Sequence, residues 1–296
     1  MLGHQVCRVL KYEHDCYVTF RQPKHVWLGH GAFESWPPEQ MNGEVDAHDI
    51  EGIATIIGRL KPDVVVNCIG IVKQRDQAKE AIASIRINAL FPQLVARICR
   101  DNDIRLIQIS TDCVFSGNRG AYTESDNPDP VDLYGRSKLL GEVTENGCIT
   151  LRLSIIGWEL GSKQGLLEWF ASQRNTQING YRRAIYTGLS TTTAAGLIRD
   201  LIERWPDLEG TYHVASLPIS KYDLLIQLRD RLGWHDIVIN PDDDFFCDRS
   251  LIGDRFVLAT NWSAPDWSRM IDELAFERPV YEKWRYGNTN GSNTPD

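Results

Sequence analysis

The chain of 296 residues has no CxxC pair, no long apolar run and no excess of basic charge, and each absence removes a class of protein. Its seven cysteines (Cys7, Cys16, Cys68, Cys99, Cys113, Cys148 and Cys247) are odd in number and scattered. That spacing fits neither a disulfide framework nor a metal centre, so buried free thiols and no metal are expected. A formal net charge of −8 argues against a general nucleic-acid partner, because a phosphate backbone is repelled by an acidic surface. No apolar run approaches the roughly 18 residues of a membrane span, and no basic-then-apolar signal pattern opens the sequence. Without such a signal, the glycosylation triplets at Asn261 and Asn290 carry no weight. The expectation is a cytoplasmic protein with no membrane partner. Its oligomeric state is open, a homodimer included.

What is present describes an α/β chain. With 42% hydrophobic and 24% charged residues, the composition is ordinary for a folded enzyme, and the length suits one large domain or two modest ones. Residues 16–20, 63–69, 106–110 and 149–153 read as strands; residues 6–12, 50–60, 78–100 and 134–143 read as helices. Apolar strands alternating with helices predict a doubly wound parallel sheet covered on both faces. After Gly157 the alternation loosens: 158–190 is mixed, 191–205 and 221–232 read as helices, 211–215 as a strand, and the acidic 240–256 stretch as a loop. The expected division is a nucleotide-binding domain over 1–155 and a smaller substrate-binding domain over 156–285 whose elements return to the sheet. A polar, disordered tail is expected over 286–296.

Tyr134 and Lys138 stand four residues apart at the start of a helix, which puts phenol and ammonium on one face. Reducing a ketone by hydride leaves an alkoxide that needs a proton near neutral pH. A phenol ordinarily ionises near pH ~10, and a neighbouring Lys⁺ lowers that value. Such a pair is common on helix surfaces and means little alone. Here an apolar strand runs directly into Ser110-Thr111-Asp112, which places the Thr111 hydroxyl at the carboxyl end of a strand, where open α/β sheets bind ligands.

Ser-Thr-Asp-x-Val-Phe-x-Gly (110–117) and Tyr-Gly-x-Ser-Lys-x-x-Gly-Glu (134–142) together resemble the dTDP-4-dehydrorhamnose reductase family of extended short-chain dehydrogenases. Asp63-Val-Val-Val-Asn67, Ile87-Asn88-Ala89 and Leu151-Arg152 extend the likeness. The resemblance implies a Rossmann-like sheet, NADP(H) as cofactor, and a nucleotide-sugar substrate in polysaccharide biosynthesis. It implies a triad in which Thr111 polarises the carbonyl and Tyr134 is the general acid. Lys138 would hold the nicotinamide ribose and lower the Tyr134 pKa. By the same likeness Asp46 meets the adenine, Cys68-Ile69-Gly70 passes beneath the cofactor, and Asp112 joins Thr111 on the substrate side.

The cofactor segment is informative by what it lacks. A dinucleotide fold places a glycine-rich turn between its first strand and a helix N-terminus that meets the pyrophosphate. Here Met1-Leu2-Gly3-His4 leads straight into QVCRVL, so Gly3 reads as the last glycine of that turn and the first strand as missing. The reading frame is expected to continue upstream, with roughly ten residues of β-branched strand ending in Gly-x-x-Gly. The next strand ends at Phe20 and is followed by Arg21, with no acid between Val18 and Trp27. A ribose 2′-hydroxyl attracts an acid there and a 2′-phosphate a base, so Arg21 favours NADP.

Arg182 and Arg183 are the paired arginines of the second half and are candidates for clamping a diphosphate. The family usually carries Trp where this chain has Ile156, which leaves the sugar open; Leu133 stands where Asn is common. A dehydratase of the same fold needs Glu after Thr-Asp, and Cys113 is there instead. An epimerising reductase stays open. So does a non-catalytic nucleotide-binding subunit of methionine adenosyltransferase, the other role of this fold.

Overall fold

The computed structural model describes residues 1–71, 80–161 and 164–286. In chain order the strands are β1 (Val18–Thr19), β2 (Met41–Asn42), β3 (Val64–Asn67), β4 (Arg105–Ile109), β5 (Cys148–Arg152) and β6 (Ile155–Ile156). They continue with β7 (Gln177–Tyr186), β8 (Leu189–Ser190), β9 (Gly210–His213), β10 (Ile219–Ser220) and β11 (Val238–Asp248). The largely apolar runs Val64-Val-Val and Leu106-Ile-Gln-Ile become an end strand and an inner strand of a parallel sheet ordered β3-β4-β5-β9. Strand β9 comes from the second half of the chain and pairs with β5, so the two halves share one sheet.

Both faces of that sheet are covered. On one, Ile107, Ile149 and Leu151 pack against Leu2, Val6 and Leu10 of the Leu2–Leu10 helix and Ala194, Leu197 and Ile198 of the Thr191–Glu203 helix. On the other, Leu106 and Cys148 meet Ile53 and Ile57 of the Ile50–Leu60 helix and Phe91, Val95 and Cys99 of the helix Ala81–Asp101. This is the doubly wound arrangement the alternation predicts.

The helix Ala81–Asp101 qualifies by length and composition as a membrane span, with a mean hydropathy of 1.2 over its most apolar stretch, which corrects the expectation that nothing in the chain does. Its middle, Ile85–Leu90, is π-helical. The expected helix start at residue 78 falls outside the described residues, as does the 287–296 tail.

Three expectations are corrected. Only Val18–Thr19 of the 16–20 run is strand, paired with β2 alone; among the described residues no strand joins this pair to β3. Within the mixed 158–190 region lies the ten-residue strand β7, and the acidic stretch read as a loop is mostly β11, followed by the Asp254–Thr260 helix. These two strands run parallel across sixty residues of sequence and bulge between Asp242 and Phe246. Their polar residues face water on both sides of β11, so no period of two survives to be read.

Glycine sets one contact that positions the Leu133–Leu140 helix. A Cβ at Gly141, its last-turn neighbour, would lie 1.9 Å from the Asn88 carbonyl oxygen. Gly141→Ala should therefore destabilise the protein by about 1–3 kcal/mol, the usual cost of overpacking. Chemical denaturation reads this as a lowered midpoint; an unchanged midpoint would show that the π-helical stretch yields freely.

Candidate active site

The carboxyl end of β4 delivers Thr111 in extended conformation, where its Oγ1 accepts from the Cys113 amide at 3.2 Å and donates to Asp112 Oδ1 at 3.1 Å. Asp132 caps the Leu133–Leu140 helix by accepting from the Gly135 amide at 2.8 Å. A Cβ at Gly135 would stand 2.2 Å from the Cys113 carbonyl oxygen, so only glycine lets the helix start close on the turn after Thr111. That closure brings the Tyr134 phenol close enough to the Thr111 hydroxyl for the hydroxyl to act on its ionisation. One helical turn on, Lys138 is buried, its Nζ donating to the Ile109 carbonyl at 2.6 Å. The structure thus gathers Thr111, Asp112, Tyr134 and Lys138 at one strand end.

The electrostatics differ from what the resemblance implies. Burial raises the Tyr134 pKa above its usual value, helped by Cys113, Asp112 and Asp132, while the Thr111 hydroxyl works against the rise. The expected lowering by Lys138 is not among the leading influences, and the phenol is held protonated. Burial also lowers Lys138 to about 8, with Glu142 and Cys68 opposing.

Beneath the site, Glu142 accepts from Arg152 Nε at 2.8 Å and Nη2 at 2.7 Å and from Ser110 Oγ at 2.6 Å. Arg152 Nη1 donates to His213 Nε2 at 3.3 Å, which leaves Nδ1–H to donate to the Tyr122 carbonyl at 3.0 Å. The ring so placed is neutral, and burial lowers its pKa accordingly. Asn88 is a second tie: its Oδ1 accepts from the Ile71 amide at 2.8 Å, and its Nδ2 donates to the Ile71 carbonyl at 3.1 Å and to Ser137 Oγ at 3.2 Å.

The residues expected around a dinucleotide lie along the same edge. Gly3 sits in the first turn of the Leu2–Leu10 helix, 3.5 Å as a built Cβ from Cys68 Cβ, with no acid in that turn and no side-chain cap. Cys68 is pushed by burial to about 12. Ile69 is partly exposed, its amide donating to Asn67 Oδ1 at 3.0 Å. Gly70 is exposed, and a Cβ there would meet Asn88 Oδ1 at 3.3 Å and Lys138 Nζ at 3.9 Å. Arg21 and Asp46 are exposed in the turns after β1 and β2, Asp46 Oδ1 accepting from the His48 amide at 2.9 Å. An uncapped helix N-terminus, a side-chain-free Gly70 beside an ammonium and an exposed Arg21 fit a phosphorylated dinucleotide.

Arg182 and Arg183 are not brought to the triad. Both are exposed on β7: Arg182 pairs with Asp243 at 3.4 Å and covers the Tyr222 ring, and Arg183 donates to the Asp243 carbonyl and covers Phe246. The second half of the chain instead presents Tyr186, Lys221, Cys247 and Arg249. Asp112 and Cys113 act electrostatically on Tyr186, Lys221 and Arg249 as they do on Tyr134. Sequence reading missed these residues because they stand singly in segments without a motif.

Fold and site together define a dinucleotide-fold α/β protein with a Thr-Tyr-Lys constellation at its strand ends. The chain belongs to the RmlD substrate binding domain family, whose model matches residues 1–243. It is 30% identical over 209 residues to a probable low-salt glycan biosynthesis reductase, Agl14, of Haloferax volcanii, covering 67% of this chain and 69% of that protein. It is also 25% identical to methionine adenosyltransferase 2 subunit beta of Mus musculus, over 77% of this chain and 71% of that protein. Its fold is similar to that of Bacillus anthracis dTDP-4-dehydrorhamnose reductase solved in complex with NADP. There the TM-score is 0.72 and the identity 20%, over 89% of this chain and 100% of that one.

A lysine whose folded pKa lies below its unfolded value costs stability while protonated. For Lys138 the cost is complete below pH about 8 and is relieved as pH rises from about 8 towards 10.5. Lys138→Met should flatten the rise in unfolding free energy across that window by one proton's worth of slope. Urea titrations of both forms from pH 7.5 to about 10 check this; identical slopes would mean that the ammonium is solvated.

Proposed function

We propose that the chain is an NADPH-dependent reductase of a 4-keto-deoxysugar carried on a nucleotide, acting in nucleotide-sugar and polysaccharide biosynthesis. The observation that carries this reading is the gathering of the Thr111 hydroxyl, a protonated Tyr134 and the buried Lys138 ammonium at the end of β4, with Lys138 one turn along the helix from Tyr134. The names of the family's reductases support it. Bound NADPH supplies the hydride. Gly3, Asp46, Cys68, Ile69, Gly70, Tyr134 and Lys138 would hold it, and Arg21 would take the 2′-phosphate. Thr111 Oγ1 donates to the substrate carbonyl oxygen and draws electron density from the carbon. Tyr134 passes its proton to the oxygen as the carbon is reduced, and Lys138 orients ribose and phenol.

Burial suits this assignment. A phenol held above its usual pKa keeps its proton and stays neutral near pH ~7, as a general acid must. The cytoplasm belongs to the same reading, supported by seven cysteines outside any disulfide. A homodimer does too, supported by Ile82, Leu90 and Leu140 exposed on the two neighbouring helices beside the site.

The deciding experiment is NADPH oxidation against a panel of keto-sugar nucleotides; no oxidation with any of them sinks the reductase reading. Tyr134→Phe should keep its fold and, with the other cofactor contacts in place, most of its NADPH affinity, and lose about 10²-fold or more in turnover. A Phe variant as fast as the parent would remove Tyr134 from the acid role. The parent should prefer NADP(H) to NAD(H), and Arg21→Asp should narrow or reverse that preference in direct binding titrations. Equal affinities in the parent would count against Arg21.

A further inference from the structure

Near the start of β7, three arginines and three aromatic rings enclose a cavity of about 170 Å³. The triad lies towards the other end of that strand. At about 3.3 Å per residue β7 spans roughly 30 Å, and Tyr186 ends it within electrostatic reach of Asp112 and Cys113. Trp158 follows β6, Arg174 follows the Leu166–Ala171 helix and Trp234 follows the Lys221–Leu232 helix; Arg278, Tyr281 and Arg285 lie on the helix Trp267–Tyr286. The rings stand against one another, with Trp158 6.3 Å from both Trp234 and Tyr281 between centroids. Guanidiniums cover them: Arg174 and Arg278 lie over Trp234 at 6.0 and 5.4 Å, and Arg285 over Trp158 at 5.7 Å and Tyr281 at 5.8 Å.

This lining has more donors than acceptors. Arg174 meets Asp236 through Nε alone, at 2.7 and 2.8 Å. Arg278 Nε donates to Glu282 at 2.7 Å and its Nη1 to the Leu232 carbonyl at 3.2 Å. Arg285 Nη2 donates to Glu168 and to the Glu159 carbonyl. Among the described residues, both terminal nitrogens of Arg174, Nη2 of Arg278, and Nε and Nη1 of Arg285 donate to no acceptor. Trp234 is 3% exposed, and its indole N–H has no hydrogen-bond partner among the described residues either. A buried donor left unused costs stability until an acceptor arrives. Glu282, the carboxylate in the lining, is already held by Arg278.

A ligand that completes these bonds brings ionised oxygen acceptors, the matched partners of guanidinium, and a flat apolar body to lie among the rings. Size narrows the choice. A cavity of about 150 Å³ holds benzene, so one ring bearing one carboxylate fills this space and a nucleotide exceeds it. We propose that the cavity is a second ligand site, apart from the triad, that takes a small aromatic carboxylate. The inference goes beyond the reductase reading and does not rest on it. Its occupant touches the exits of β6 and of two helices together with the helix Trp267–Tyr286, so binding stabilises the second half of the chain.

Benzoate is the probe, with benzamide as its neutral counterpart and inorganic phosphate as an anion without a ring. NMR of the indole N–H groups in the full chain reads binding directly, and the Trp234 signal is the one lost in Trp234→Phe. Benzoate should shift that signal with a Kd of about 1 mM or tighter. Benzamide and phosphate should each bind at least about tenfold more weakly, the worth of a charge-assisted hydrogen bond. Arg174→Gln, at a half-exposed side chain that leaves the packing in place, should weaken benzoate about tenfold, as should Arg278→Gln. Tyr134→Phe should bind it as the parent does. Saturating benzoate should raise the melting temperature of the parent and leave that of the Arg174→Gln, Arg278→Gln double variant unmoved. A Trp234 signal that benzoate does not move overturns the inference, as do arginine variants that bind as tightly as the parent. Benzamide binding as well as benzoate overturns it in favour of an apolar hole, and phosphate binding as well in favour of a plain anion site. Benzoate binding lost in Tyr134→Phe would place the carboxylate at the triad and overturn it too.

Discussion

The Glu142–Arg152 ion pair is the contact on which the site's geometry depends. Both side chains are almost fully buried, and the guanidinium meets the carboxylate through two nitrogens. Such a pair adds little net stability over an apolar replacement, yet removing one partner strands a buried charge at a cost of about 3–5 kcal/mol. Its value is positional. Glu142 follows the helix that carries Tyr134 and Lys138, Arg152 ends β5, and Ser110 directly follows β4. One carboxylate therefore fixes helix and two strands in register, directly below the reacting hydroxyls.

The same network joins the halves of the chain. Arg152 reaches His213 of β9, and His213 reaches the Tyr122 carbonyl, while its own amide donates to Glu124 at 2.8 Å. The imidazole works as a neutral connector, accepting on one nitrogen and donating on the other. The strand from the second half is thus bound to the loop leaving the first by polar contacts as specific as the sheet pairing itself. Tyr186 and Lys221 are carried into place by β7 and β10, which are set by that docking.

Much of this was legible in the residues. Val64-Val-Val, Leu106-Ile-Gln-Ile and the helix over Ile50–Leu60 announce themselves by period and by β-branching, and the structure places them as read. The triad was legible because three short motifs stand at fixed separations along the chain. What escaped has a common cause. Strand β11 owes its form to β7, sixty residues away, and not to any local apolar pattern, so it passed for a loop. Lys221 and Arg249 come within reach of Asp112 and Cys113 because of what folds against them, and nothing in their sequence neighbours records it. Arg182 and Arg183 stood out for their charge, and Asp243, supplied by that same unread strand, accounts for them.

The π-helical stretch at Ile85–Leu90 makes the long helix an element with two reading frames. A wider turn holds one more residue than an α-turn, so the stripe that faces inward before it is out of phase with the stripe that follows. Ile82 and Ile85 end up outward, whereas Phe91, Val95 and Cys99 point into the core. The surplus residue is absorbed where Asn88 turns away from the ladder to grip Ile71 and Ser137. The helix gives up a uniform face, and in exchange a single amide side chain stitches the loop at Gly70 to the helix bearing the tyrosine.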